Sequence, residues 1–203
     1  MIQARGLGRI FSVFWRGVTM LQRILISLVA AAGLLALFGA GAATTSMHRF
    51  DFTSIDGEPL PMREFAGRAV LVVNTASLCG FTYQYEGLQA VWETYRERGL
   101  VVLGVPSNDF GRQEPGSAAE IKDFCEVNFN VEFPLTAKQV VSGDGAHPFF
   151  REAVRVLGPE AAPRWNFHKF LVAPDGDLIG AWPSRVEPGS PEITRAIETA
   201  LPK

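Results

Sequence analysis

Two apolar runs rich in β-branched residues, Ala69 to Thr75 and Leu100 to Val105, bracket a stretch in which Leu88, Val91, Trp92 and Tyr95 recur at helical spacing. No other feature restricts the possible folds of this chain as much. Nearly continuous apolar strands are those buried on both faces of a sheet, which requires helices on either side. The helix between them ends at Arg98-Gly99, a basic last turn followed by the residue best suited to a helix C-terminus. A strand, helix and strand in this order predict parallel strands joined by a right-handed crossover.

The flanking segments extend this unit. Met47 to Phe52 alternates weakly and meets an Ile55-Asp56-Gly57-Glu58 turn, which predicts an N-terminal β-hairpin. Ser117 with Glu120 three residues later opens a helix that runs to about Asn128. A further helix is predicted over 146–156 and a strand over 167–173. A turn at Pro174-Asp175-Gly176-Asp177, a returning strand over 178–182 and a closing helix over 191–201 complete the chain. The fold class is α/β with a thioredoxin-like layout, a central mixed β-sheet flanked by helices, preceded by the hairpin.

The first 50 residues hold no Asp or Glu, and Arg5, Arg9, Arg16 and Arg23 precede an uncharged stretch from Ile24 to Ala43. This is the pattern of an export signal, with small residues at Ala40 and Ala42 placing cleavage near Ala42. Translation from Met20 would give the signal a shorter basic region. Left uncut, residues 24–43 are long enough to span a bilayer core. The expected organisation is a signal peptide or uncleaved membrane anchor over 1–42 and one domain over 43–203. The expected location is periplasmic or secreted, or anchored in the inner membrane facing the periplasm. Removing residues 1–42 takes four of the 19 basic residues and none of the 21 acidic ones, leaving a net charge of −6. Nucleic acid is excluded as a partner on that balance.

The chain holds two cysteines. Cys79 follows the first apolar run, where a strand end and a helix N-terminus offer backbone N–H groups and a positive dipole end, both favouring thiolate. It is the candidate nucleophile, although the same place suits a small buried hydrophobe. Cys79-Gly80-Phe81-Thr82 carries threonine where a local dithiol would need a second cysteine. Ile121, Phe124, Cys125 and Asn128 share one helical face, so periodicity makes Cys125 a packed core residue. Two cysteines in an exported protein also permit a permanent bridge. His48, His147 and His168 do not gather with the cysteines at metal-ligand spacing and are expected at the surface or in turns, with no metal bound. Lys169 is expected to be solvated or salt-bridged.

Three segments carry a resemblance. Asn74-Thr75-Ala76-Ser77-Leu78-Cys79-Gly80-Phe81-Thr82 resembles the active-site segment of the glutathione peroxidase family in its cysteine form. Pro106 to Gly116 and Trp165 to Val172 are similar to two further family motifs in the same order and spacing. The likeness runs from about Phe50 to the C-terminus. It implies a thioredoxin fold, a thiol peroxidase acting on hydrogen peroxide and organic, including lipid, hydroperoxides in the oxidative stress response, and a catalytic group of Cys79, Gln113, Trp165 and Asn166.

Physical reasons support those residue types. Attack of a thiolate on an O–O bond leaves a sulfenic acid and builds negative charge on the departing oxygen. An indole N–H and two side-chain amides can donate to that charge without a titrating base. The context of Cys125 is similar to the resolving-cysteine segment of thioredoxin-dependent members, which implies that Cys125 attacks the sulfenic acid on Cys79 after local unwinding of its helix. The resemblance also implies no metal or organic cofactor, with electrons supplied by a thioredoxin-like protein or glutathione. The short stretch between Pro148 and Trp165 lacks the loop that builds the tetramer interface in some members, which implies a monomer with an open site. Asp109 stands where the family commonly has an amide, and a like charge near a thiolate bears on rate and pH optimum. The alternatives are a thiol-disulfide reductase on the same fold, or a non-catalytic, membrane-tethered binding domain stapled by a Cys79–Cys125 bridge.

Overall fold

A short antiparallel hairpin, β1 (Asp51–Thr53) and β2 (Pro59–Pro61), lies near the start of the described residues, 46–202 of the computed structural model. All of them fall in one compact unit, Thr45–Lys203. The predicted leader over 1–42 and the possible tether over 24–43 lie outside the described residues. Among the described residues no helix is long and apolar enough to cross a membrane.

The predicted strand, helix, strand unit forms as β3 (Ala69–Thr75), α1 (Gln84–Tyr95) and β4 (Leu100–Pro106). The two strands are parallel, in register from Ala69↔Leu100 to Thr75↔Pro106. One turn of 3-10 helix at Arg96–Arg98 follows α1, and Gly99 then takes φ +95, a conformation that a Cβ would strain. Next come α2 (Ala118–Phe129), α3 (Pro148–Leu157), β5 (Lys169–Val172), β6 (Leu178–Trp182) and α4 (Pro191–Ala200). The four-stranded sheet has the order β4-β3-β5-β6, with β5 antiparallel to both β3 and β6.

Every residue of β3 and β4 is buried, because helices cover both faces of the sheet. Leu71 and Val73 point to the face packed by Leu88 and Val91 of α1, Ile121 of α2 and Ile193 and Ile197 of α4. Val70 and Val72 point to the other face, against Phe149, Phe150 and Ala153 of α3 and Met47, Phe52 and Met62 near the hairpin. Each fully buried aliphatic side chain of this kind contributes about 1.5–3 kcal/mol. The two-residue period of β3 therefore fixes which helices lie on which side.

Some boundaries differ from the sequence expectation. The first hairpin strand starts at Asp51 rather than Met47, because Met47–Arg49 form a turn of 3-10 helix. Helix α3 starts at Pro148 rather than Ala146, since His147 serves as N-cap through its Nδ1, which accepts the Phe149 N–H, and the proline occupies the first helical position. Strand β5 starts at Lys169 rather than Phe167, because Phe167 adopts φ +62 and breaks the extended conformation.

Candidate active site

Cys79 lies in the turns between β3 and α1 and is buried with a free thiol. Its Sγ accepts a hydrogen bond from the Phe81 N–H at 3.4 Å. The donor thus belongs to the intervening turn, since α1 begins only at Gln84. The turn is closed by Thr82 N–H donating to the Cys79 carbonyl at 3.1 Å.

Gln113 is brought to this turn by its own backbone, because its carbonyl accepts the Leu78 N–H at 2.9 Å. Its side chain meets that of Asn166, whose Nδ2 donates to Gln113 Oε1 at 2.9 Å. Gly111 brings the indole to the same place. It takes φ +65, a conformation that strains an L side chain, and the place a Cβ would take lies within contact distance of both side chains, 3.4 Å from Gln113 Cγ and 3.5 Å from Trp165 Cη2. Trp165 is 39% exposed and packs its ring against Phe110, with centroids 6.1 Å apart. Asn166 is fully buried. The structure therefore gathers Gln113, Trp165 and Asn166 around one loop that is bonded to the residue next to Cys79.

Asn74, the polar residue near the end of β3, holds the other half of the site. Its Nδ2 donates to the Trp165 carbonyl at 3.1 Å and its Oδ1 accepts the His168 N–H at 3.0 Å. Its backbone N–H donates to the His168 carbonyl at 3.2 Å, and its carbonyl accepts the Phe167 N–H at 2.6 Å. All its polar groups are spent on residues 165–168, which is why Phe167 holds its left-handed conformation. The sequence reading did not single out Asn74; a lone amide closing an otherwise apolar buried strand was the available signal.

Cys125 is fully buried on α2 with a free thiol, in the same apolar cluster as Cys79. The proposed structural bridge between the two is therefore not formed. Burial pushes the Cys125 thiol up to about 11, with the nearby Glu114 and Glu126 carboxylates adding to the shift. Of the twelve residues of α2 only Ile121 and Cys125 are buried, and Phe124 and Phe129 are partly buried against the cluster.

Three expectations are corrected. His168 is buried rather than at the surface, and burial lowers its pKa to about 4. Lys169 is neither solvated nor salt-bridged. Its ammonium is fully buried in β5 and donates to Gln84 Oε1 at 2.5 Å and to the carbonyls of Ser184 and Val186 at 3.3 and 2.5 Å. Asp109 turns its carboxylate to another loop, where Oδ2 accepts the Val141 N–H at 2.7 Å and the Ser142 N–H at 3.0 Å.

A cavity of about 720 Å³ adjoins the site, lined by Phe81, Leu157, Trp165, His168, Pro183 and Arg185 among others. Among the described residues no group of His, Cys, Asp and Glu side chains is arranged to hold a metal ion.

Comparison with known proteins gives the family. The sequence profile of the family described as Glutathione peroxidase matches residues 47–153. The chain belongs to the glutathione peroxidase family. The hydroperoxy fatty acid reductase gpx1 of Synechocystis sp. is 43% identical over 167 residues, 78% of this chain and 98% of the relative. Glutathione peroxidase 7 of Homo sapiens is 39% identical over 182 residues, covering 87% of this chain and 96% of the human protein. Among solved structures, that of Trgpx superposes with a TM-score of 0.62 at 35% identity, over 77% of this chain and 97% of the other. A thioredoxin-family thiol:disulfide interchange protein from Chlorobium tepidum, at 19% identity and TM-score 0.58 over 79% of this chain and 99% of the other, shares the fold alone. This glutathione peroxidase homologue is a thioredoxin-fold oxidoreductase that acts on a peroxide as acceptor.

Proposed function

We propose that this peroxidase uses Cys79 as its nucleophile, Gln113, Trp165 and Asn166 as its donor shell, and Cys125 as its resolving thiol. The Cys79 thiolate attacks one oxygen of the peroxide, the S–O bond forms as the O–O bond breaks, and the departing alkoxide or hydroxide takes a proton to become alcohol or water. Donors aimed at that oxygen stabilise the charge as it develops. Asn166 occupies Gln113 Oε1, so the NH2 end of the Gln113 amide is left to donate. The sulfenic acid on Cys79 is then attacked by Cys125, an S–S bond forms and water leaves. A dithiol donor reduces the bridge by exchange, taking up the oxidising equivalents as its own disulfide.

The observation that carries this reading is the convergence of Gln113, Trp165 and Asn166 on the loop hydrogen-bonded to Leu78, beside the free thiol of Cys79. The cavity beside Trp165, apolar along Phe81, Leu157 and Pro183, supports organic hydroperoxides as substrates, in keeping with the name of the Synechocystis relative. The internal resolving cysteine favours a thioredoxin-like donor over glutathione. Residues 1–42 support an exported protein, periplasmic or secreted, or one tethered through residues 24–43. The short Pro148–Trp165 stretch supports a monomer.

Stopped-flow mixing of the reduced protein with hydrogen peroxide tests the nucleophile. A fast second-order phase is expected in the wild type and not in Cys79→Ser; a variant that keeps the phase would refute the assignment. After one equivalent of peroxide, mass spectrometry is expected to find a bridged Cys79–Cys125 peptide in the wild type and a sulfenic acid in Cys125→Ser. Normal turnover of that variant with a dithiol donor would remove the resolving role.

A further inference from the structure

Glu114, the residue after Gln113, is fully buried. Burial raises its carboxyl above the usual range, against the lowering effect of the Ser77 hydrogen bonds and the Lys138 charge. Taking a carboxyl group out of water is costly unless its bonds serve the structure around it. Here they join two loops. Oε2 accepts the Ser77 N–H at 3.0 Å, and the Gln113 carbonyl accepts the next N–H, that of Leu78, at 2.9 Å. Two successive donors of the Cys79 turn thus end on two successive residues of the Gln113 loop. The Glu114 N–H in turn donates to Asn108 Oδ1 at 2.8 Å, which anchors this loop two residues beyond the end of β4.

A single backbone bond at Leu78 would let the two loops pivot about it, whereas the second bond at Ser77 fixes their register. The task differs from that of Asn166, which sets the rotation of the Gln113 amide but not the offset of its backbone from the sulfur. We propose that Glu114 is a positioning residue of the peroxidase, whose buried carboxyl holds Gln113 in register with Cys79 so that the amide donor meets the leaving oxygen. The inference rests on the assignment of Cys79 and Gln113 made above. What the task requires is a long side chain ending in an acceptor, so glutamine satisfies it and aspartate, one methylene shorter, does not.

Two reactions of the same sulfur separate positioning from general damage. Iodoacetamide alkylation of Cys79 expels iodide and builds no charge on a departing oxygen, so it does not need the Gln113 donor. In Glu114→Ala the second-order rate with hydrogen peroxide is expected to fall about 10- to 100-fold while alkylation of Cys79 stays within about threefold, the loss being typical of a misplaced donor. Glu114→Gln is expected to recover the peroxide rate to within about fivefold of wild type. Should the alanine variant not fold, Glu114→Asp is expected to show the same split at about 10-fold. A full peroxide rate in Glu114→Ala or Glu114→Asp, an equal loss in both reactions, or a glutamine variant as slow as alanine would each overturn the proposal. Failure of the underlying assignment looks different, since Cys79→Ser would then keep the fast phase that wild type shows.

Discussion

The Asn166 side-chain amide donates to Gln113 Oε1 at 2.9 Å, and this one bond decides which end of the Gln113 amide is available to a reacting oxygen. With Oε1 occupied, only the NH2 end remains, so Asn166, besides its own place in the donor shell, orients Gln113. Replacing Asn166 by alanine lets that amide rotate, and the peroxide rate is expected to fall about 10-fold or more. Asn166→Asp is expected to be worse, because a carboxylate accepts from the Gln113 NH2 and turns the carbonyl end outward. Stopped-flow rates of the two variants, compared in that order, check the argument; an aspartate variant faster than alanine contradicts it.

Asn74 ties β3 to residues 165–168 with both ends of its side chain. Asn74→Ala leaves the Trp165 carbonyl and the His168 N–H without partners, at an expected cost of about 2–4 kcal/mol. Urea unfolding monitored by circular dichroism measures it. The fluorescence of Trp165 should also change in the folded variant, since its backbone anchor is gone.

Cys125 is held as a thiol by burial, with a pKa of about 11 against an ordinary 9.0. In the reduced protein at pH 8 its alkylation is expected to be at least about 100-fold slower than in urea, because the thiolate fraction and access are both small. The shift is upward, so the thiol form lends stability that is present below pH 9 and is lost as pH rises toward 11. Peptide mass spectrometry after timed labelling reports the rates, and equal labelling in buffer and urea would contradict the burial.

Lys169 offers a pH dependence of the opposite sign. Burial lowers its pKa from 10.5 to about 7, partly offset by the Glu187 carboxylate. A cation with a depressed folded-state value penalises the fold fully below pH 7, and the penalty is relieved as pH rises toward 10.5. Between pH 7 and 8.5 the wild type is therefore expected to gain about 1–2 kcal/mol relative to Lys169→Met. Urea midpoints of the two proteins at both pH values give the comparison; parallel curves would mean that the ammonium stays charged throughout, held by its three acceptors.

Elements with a strong local signal were readable from the sequence. The capping box at Ser117 and Glu120 set the start of α2, and the apolar runs set β3 and β4 to within a residue. The start of β5 was not readable, because Phe167 takes φ +62 and donates its N–H to the carbonyl of Asn74, a residue 93 positions earlier. The candidate site was legible as far as residue identity went: Cys79, Gln113, Trp165 and Asn166 stand in motifs. Their supports, Asn74 and Glu114, lie inside those motifs but gain meaning only from bonds across the fold. The misreading of Lys169 has the same origin. A lysine normally seeks water, and nothing local reveals three oxygens waiting for it on distant loops.

Helix α2 rests on the core through two fully buried side chains, Ile121 and Cys125, with Phe124 and Phe129 partly buried beside them. In the cycle proposed above, the sulfur that must travel is thus also one of the bolts fastening its helix to the body. Drawing that bolt leaves the helix loosely hinged and its underside bare, so oxidation alters the outline of the molecule as well as its bonding. A reductant able to feel that altered contour would engage spent molecules and pass over those still armed.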